Sequence, residues 1–453
     1  MSTFSFNPNN QNDTHLLSSA ERLELLRAEK LNQMPVGSGI LELPLATLVG
    51  LSAMFCVAFF NLSDLGFGDV DKISIDFTVL MKVGFLGVAG AYGLIGSLTD
   101  EKVRRLMFSF PVVWVWFLFG FYCLGVISSV MPKESLVSAI SIACVLLCTT
   151  RLLVQVGVKV VLTTLFHSMS AFVVLSWFLF LFVPEIGVFE EAITDGQKFR
   201  RMGGMAHPNT LGQVSGLTLI FAGLLHRNYG DMTKWRWVIC FLAIGALVAS
   251  VSRTSFLTTL IAFSFIYREK FLRRQNLPYM LGFGFLSVFG LLGLAAMTDL
   301  GALVESQLES VSKSGSTEEL TTGTGRVEIW AYAIKLISRQ PLFGYGAATS
   351  KWFLSDYSLY THNLVLNVAF STGVFGGLAC LAMVIGRIKS LFERPHPIAD
   401  ALLVFILVNG IAENEIFSIL CSLPTIVWIV ALSMPVIDEI SKDPQRLSME
   451  GSK

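Results

Sequence analysis

Long uninterrupted apolar blocks constrain this chain more than any other feature. Leu106–Val130 and Val158–Val183 each exceed the roughly 20 residues that a helix needs to cross a bilayer. In hydrocarbon every backbone N–H and C=O must find a partner within the protein, and helices achieve that segment by segment. Charged residues make up 15% of the chain, against about 25% in soluble domains, so lipid is the expected solvent for most of the surface.

Spanning segments are expected at about 40–60, 75–97, 107–130, 135–150, 159–183, 208–225, 236–250, 254–267, 279–298, 363–386, 398–416 and 418–437. Residues 1–39 are polar and lack an apolar core with a small-residue cleavage site, so no cleavable signal is expected. Ser18–Leu31 reads as a short amphipathic helix, with capping-box spacing between Ser18 and Glu21. With the N-terminus inside, 21 of the 33 Lys and Arg residues fall in the inner segments. The positive-inside rule then sets both termini in the cytoplasm.

The expected fold is therefore all-α: a polytopic membrane protein of about twelve transmembrane helices with one large outer loop. Its parts are an N-terminal cytoplasmic segment (1–39), helices one to nine (40–298), the outer loop (299–362), helices ten to twelve (363–437) and a cytoplasmic tail (438–453). A loop of that length is too long to be a mere connector. Its Ser306–Gly325 stretch is rich in Ser, Thr, Gly and Glu and reads as mobile. Beyond Gly325, Val327, Trp330, Ile334 and Ile337 recur at helical spacing and predict an amphipathic helix along the outer membrane surface, ended by Pro341, Gly344 and Gly346.

Formal net charge is zero, so nucleic acid is not an expected partner. The seven cysteines lie in or beside apolar blocks and make no Cys-x-x-Cys pair, which suits packing better than disulfides or metal. Of the six histidines, His207 and His362 fall at outer helix mouths, in HPN and THN contexts. Arg200, Arg201, Arg253 and Arg326 share that face, and Arg253 and Arg326 open helices. Arg at a helix start suits a phosphate or diphosphate, although a snorkelling anchor is the common alternative. A neutral His nearby could take a proton from a hydroxyl. Glu413 and Glu415, in a short outer turn, are either acceptor-side groups or solvated loop carboxylates.

Four segments in order, MAHPNTLGQ, SVSRTSFL, TGTGRVEIWAYAIKLISRQPLFGYG and THNLVLNVAFSTGVFGG, resemble the O-antigen ligase-like superfamily. Arg253–Leu257 fits Arg-x3-Leu and His362–Gly373 fits His-x10-Gly. The resemblance covers about residues 200–380 and implies an inverting, metal-independent and cofactor-free glycan transfer on the periplasmic face of the bacterial inner membrane. It implies a saccharide on undecaprenyl diphosphate as donor, and a growing glycan or lipid A–core as acceptor. A flippase and a chain-length regulator would be partners. Carried over by position, His362 is the candidate base, and Arg253 and Arg326 hold the diphosphate. Arg201, Asn209 and Asn363 are candidate substrate-binding residues, the two asparagines being alternatively helix caps. The motifs look most like exopolysaccharide and capsule polymerases; an O-antigen ligase is the alternative. A transporter of lipid-linked sugars is a remoter one, because it is expected to carry internal repeats and no repeat of the two halves is evident.

Overall fold

The computed structural model describes residues 43–60, 77–192, 198–230, 232–268, 326–355, 360–413, 417 and 420–442. The chain divides into two units, Met1–Leu48 and Val49–Lys453. The expected helix at Ser18–Leu31, the ninth span at 279–298 and the Ser306–Gly325 stretch lie outside the described residues.

Helices α1 (Leu45–Phe59), α2 (Phe77–Thr99), α3 (Glu101–Phe108), α4 (Val113–Gly125), α5 (Pro132–Gln155) and α6 (Gly157–Phe182) lead to a single turn, α7 (Pro184–Gly187). An antiparallel hairpin of β1 (Val188–Ala192) and β2 (Lys198–Met202) follows. Next come α8 (Pro208–Tyr229), α9 (Lys234–Ala249) and α10 (Arg253–Ile266). Finally α11 (Arg326–Arg339), the single turn α12 (Ser350–Phe353), α13 (Leu364–Glu393), α14 (Ala399–Ala412) and α15 (Leu423–Lys442) close the described chain.

Eleven of the twelve expected spans coincide with these helices. Among the described residues five helices, α2, α5, α6, α13 and α15, are long and apolar enough to cross a membrane, or six if α3 and α4 make one broken span. Helices α1, α10 and α14 are apolar but shorter. Surface chemistry agrees with a membrane protein. On α9, Trp237, Val238, Phe241, Ile244 and Val248 form one helix face and are all more than half exposed. Water would penalise such a face, whereas lipid is an ordinary neighbour for it. Helices α14 and α15 sit at the other extreme, with Leu402, Leu403, Phe405 and Trp428 fully buried.

The structure departs from the sequence reading in four places. The expected 107–130 span is broken, and α3 and α4 meet at 71° around Pro111, where proline cannot continue a helix ladder. The fold is mostly helical, as expected, but among the described residues the sequence reading did not anticipate the two-stranded hairpin of β1 and β2. The tenth span runs on to Glu393 but breaks at Gly373. The buried face of α11 is Ile329, Ala333, Leu336 and Ile337, while Val327 and Ile334 are exposed. The predicted stripe is the row beside the buried one and shares Ile337 with it, because tertiary packing against Tyr345, Leu354 and Phe370 selected the adjacent apolar row.

The break in α13 explains the glycine spacing. With helix bonds interrupted there, Phe370 and Ser371 carbonyls accept the N–H groups of Tyr345 and Gly346, at 2.8 and 3.0 Å. Val374 N–H donates to the Pro341 carbonyl at 2.7 Å. The PLFGYG segment is thus stitched across the break, and Ser128 Oγ and Ser135 Oγ hold its other side at the carbonyls of Gly344 and Ala347. Gly373 has φ 81° and ψ −179°, a region open essentially only to glycine, and a Cβ there would meet the Leu342 carbonyl oxygen at 2.4 Å. Gly373→Ala is expected to destabilise the fold by more than about 2 kcal/mol, read as a lower melting temperature in detergent. An unchanged melting temperature would mean that the break relaxes without cost.

Candidate active site

The site begins with the alternation of β2. Successive strand residues point to opposite faces, so Arg200 faces outward and pairs with Glu190 at 3.0 Å, whereas Arg201 turns inward and is 2% exposed. Helix α9 ends at Ala249, and Val251 adopts φ 50°. The last carbonyls of a helix lack intrahelical donors. Arg201 supplies them: Nε donates to the Ser250 carbonyl at 2.8 Å and Nη2 lies 3.5 Å from that of Val251. Nη2 also donates to Asn209 Oδ1 at 2.8 Å.

Asn209 passes the connection on. It sits in the first turn of α8, and its Nδ2 donates to Glu413 Oε1 at 3.1 Å. The cap of α8 is His207, whose Nδ1 accepts the Asn209 N–H; the capping role considered for Asn209 therefore belongs to its neighbour. Asn363 does cap a helix: Oδ1 accepts the Leu366 N–H at 3.0 Å, and Nδ2 reaches the Ile411 carbonyl at 3.2 Å. That second bond ties the start of α13 to the end of α14.

Glu413 is the hub. It caps the C-terminus of α14 and is 7% exposed. Its Oε1 accepts from Arg326 Nη2 at 3.0 Å as well as from Asn209, and its Oε2 lies 3.0 Å from His362 Nδ1. Burial pushes this carboxyl up, but the hydrogen bond from His362 and the electrostatic influence of the groups around it, with the Arg326 guanidinium among them, outweigh it. The net effect holds Glu413 below the ordinary glutamate range, ionised at neutral pH.

His362 stands at φ 48°, a left-handed conformation uncommon for side chains other than Asn, Asp and His. Its neighbours hold it there. Trp330 Nε1 donates to the Thr361 carbonyl at 3.0 Å, and Asn363 is fixed as a cap. Arg253 opens α10, and Ser255 Oγ of that helix lies 3.5 Å from the Asn209 carbonyl. Gly212 permits this approach, since a Cβ there would sit 2.7 Å from Ser252 Cβ. The structure therefore joins Arg201, Asn209, Arg326 and His362 in one hydrogen-bonded network, with the helix starts of Arg253 and Asn363 attached through backbone groups. Among the described residues no three His, Cys, Asp or Glu side chains converge as a metal site would require.

Sequence reasoning did not single out the hub. Glu413 and Glu415 appeared as an equivalent pair, and solvation was one of their two readings. Glu413 is instead buried between four helix ends, and Glu415 lies outside the described residues. The available signal was a carboxylate in an otherwise apolar stretch, which marks a paired or functional group.

Residues 238–381 match the family model described as O-antigen ligase. The matched segment contains Arg253, Arg326 and His362, and ends before Glu413. A ComP-specific O-oligosaccharyltransferase from Acinetobacter baylyi is 24% identical over 224 residues, which cover 46% of this chain and 39% of that protein. The similarity thus spans less than half the length of that relative. Both matches support the O-antigen ligase-like superfamily.

Proposed function

We propose that this chain transfers glycan from an undecaprenyl-diphosphate-linked oligosaccharide at the periplasmic face of the bacterial inner membrane. Its foremost reaction on this reading is polymerisation of exopolysaccharide, capsule or O-antigen repeat units. The observation that carries the proposal is the His362–Glu413 pair, with Arg326 on the other oxygen of the same carboxylate. Glu413 accepts from Nδ1 and so keeps the ring proton there, leaving Nε2 as the proton acceptor. The acceptor hydroxyl gives its proton to Nε2 while its oxygen bonds to the anomeric carbon. The bond from that carbon to the diphosphate oxygen breaks from the opposite side, and the diphosphate leaves with the electron pair. Guanidinium groups of Arg326 and Arg253 stabilise the charge that develops on it. Asn209, Arg201 and Asn363 support the donor side, holding Glu413 and the surrounding backbone. A flippase would deliver the donor, and a chain-length regulator would act on the product.

Transfer to lipid A–core or to a protein is the second reading, favoured by the O-antigen ligase description of the matched family and by the protein-specific name of the relative. Surface glycans of a deletion strain separate the two. Single repeats on lipid A–core indicate a lost polymerase, and polymer retained on the lipid carrier indicates a lost ligase. Glycans unchanged in amount and length would overturn glycan transfer altogether.

Arginine is required for its shape as well as its charge. One N–H of Arg326 is engaged by Glu413, and the rest of the planar fork can face a phosphate. A lysine would have a single ammonium to share between the two. Arg326→Lys and Arg253→Lys are each expected to lower turnover by roughly 10–10³-fold at normal membrane levels. Wild-type turnover in either would reduce that residue to an anchor.

A further inference from the structure

Buried cations in this fold follow one pattern. Lys82, Arg151 and Arg201 are each buried, and each donates to a backbone carbonyl, those of Leu420, Tyr92 and Ser250. Arg387 departs from it. The residue is 7% exposed. Its Nε is buried with no hydrogen-bond partner, and among the described residues no ion pair reaches its guanidinium. Nor does the side chain escape by turning to lipid. Cys380, Met383 and Leu391 share its face of α13 at helical spacing and are buried, whereas Ile385, Ile388 and Phe392 on the other faces are exposed.

Arg387 stands near the end of α14 opposite to Glu413. Asp400, in the first turn of α14, is buried and lies within electrostatic reach of it. That carboxylate is already engaged, since Oδ2 takes Arg268 Nη2 at 2.6 Å and the His396 N–H at 2.8 Å. Arg268 follows α10, and its Nη1 lies 3.5 Å from the carbonyl of Leu391, one turn along α13 from Arg387. The His396 ring is occupied elsewhere: Nδ1 accepts the N–H groups of Ile398 and Ala399, and Nε2 lies 3.4 Å from Asp438 Oδ2. Two guanidinium groups thus gather around one carboxylate, and one buried positive charge is left over.

A buried charge without a counter-charge is strongly disfavoured, and an arginine within a spanning helix pairs with an anion or marks a functional site. The planar guanidinium fork matches phosphate oxygens. We propose that Arg387, with Arg268 beside it, forms a binding site for a phosphate oxyanion, either the headgroup phosphate of a membrane phospholipid or free inorganic phosphate. The charge count in the sequence puts this end of α13 on the cytoplasmic side, so the site is separate from the transfer chemistry around Glu413.

The test takes delipidated full-length protein in dodecyl maltoside, a detergent without phosphate, and reads melting temperature at constant ionic strength. Phosphatidylglycerol and inorganic phosphate are added separately. Wild type is expected to gain about 2 °C or more with at least one of them. A gain with phosphatidylglycerol alone identifies a lipid headgroup, and a gain with inorganic phosphate identifies the free anion as a ligand. Arg387→Met keeps an unbranched apolar stem on the buried row and removes the charge. Without added anion this variant is expected to melt at or above wild type, because the unpaired charge is gone, and it is expected to lose the gain. Equal gains in variant and wild type would put the anion elsewhere and overturn the proposal. A wild type unmoved by both additions would do the same. So would a variant that melts below wild type without anion, since Asp400 would then be all the partner that Arg387 needs.

Discussion

His362→Ala is expected to abolish detectable glycan transfer while the protein still accumulates in the membrane. A positioned general base contributes about 10²–10⁴-fold, a loss that takes product below detection. The side chain is a quarter exposed, so its removal leaves no large cavity. Alanine also tolerates the left-handed backbone less well than histidine, a small cost that the Trp330 and Asn363 contacts on either side should absorb. The check is chain-length analysis of surface glycan alongside membrane yield. Normal chain length in this variant would remove the base assignment, because nothing else in the proposed chemistry replaces Nε2.

The helices were legible because lipid imposes a coarse rule: twenty apolar residues read the same wherever they occur in the chain. The candidate arginines and His362 were legible through motif order, which records positions but not contacts. The departures come from tertiary structure. Arg201 was readable as a phosphate ligand, since nothing in the sequence announces that α9 will end with Ser250 and Val251 carbonyls in need of its guanidinium. The break at Gly373 could not be separated from an ordinary helical glycine, although the residue was marked by its spacing from His362. The hairpin was hidden because five-residue strands carrying mixed charges, VFEEA and KFRRM, have little of the apolar alternation that announces a half-buried strand. Glu413 needed the third dimension most, since its partners Asn209, Arg326 and His362 lie 204, 87 and 51 positions away.

Glu413→Gln is expected to cost as much turnover as loss of the base, on the order of 10²–10⁴-fold, by analogy with other His–carboxylate pairs. The substitution keeps size and shape but removes the charge that selects the Nδ1–H tautomer of His362 and holds Arg326. An amide can present its N–H to either partner, so one of the two contacts becomes donor against donor. Glu413→Asp keeps the charge but shortens the reach, and is expected to retain more activity than the glutamine variant if charge is the essential property. Glutamine matching wild type would reduce Glu413 to a helix-end anchor. Stability supplies a second, independent readout. Since the folded site holds this carboxyl below its ordinary range, its contribution to stability is complete above about pH 5 and is lost as pH falls through the lower, folded value. Wild type should therefore lose melting temperature on acidification more steeply than Glu413→Gln, which has no proton to bind at that position. Parallel pH profiles for the two proteins would mean that the carboxylate gains nothing from Arg326 and His362, and the hub would lose its electrostatic basis.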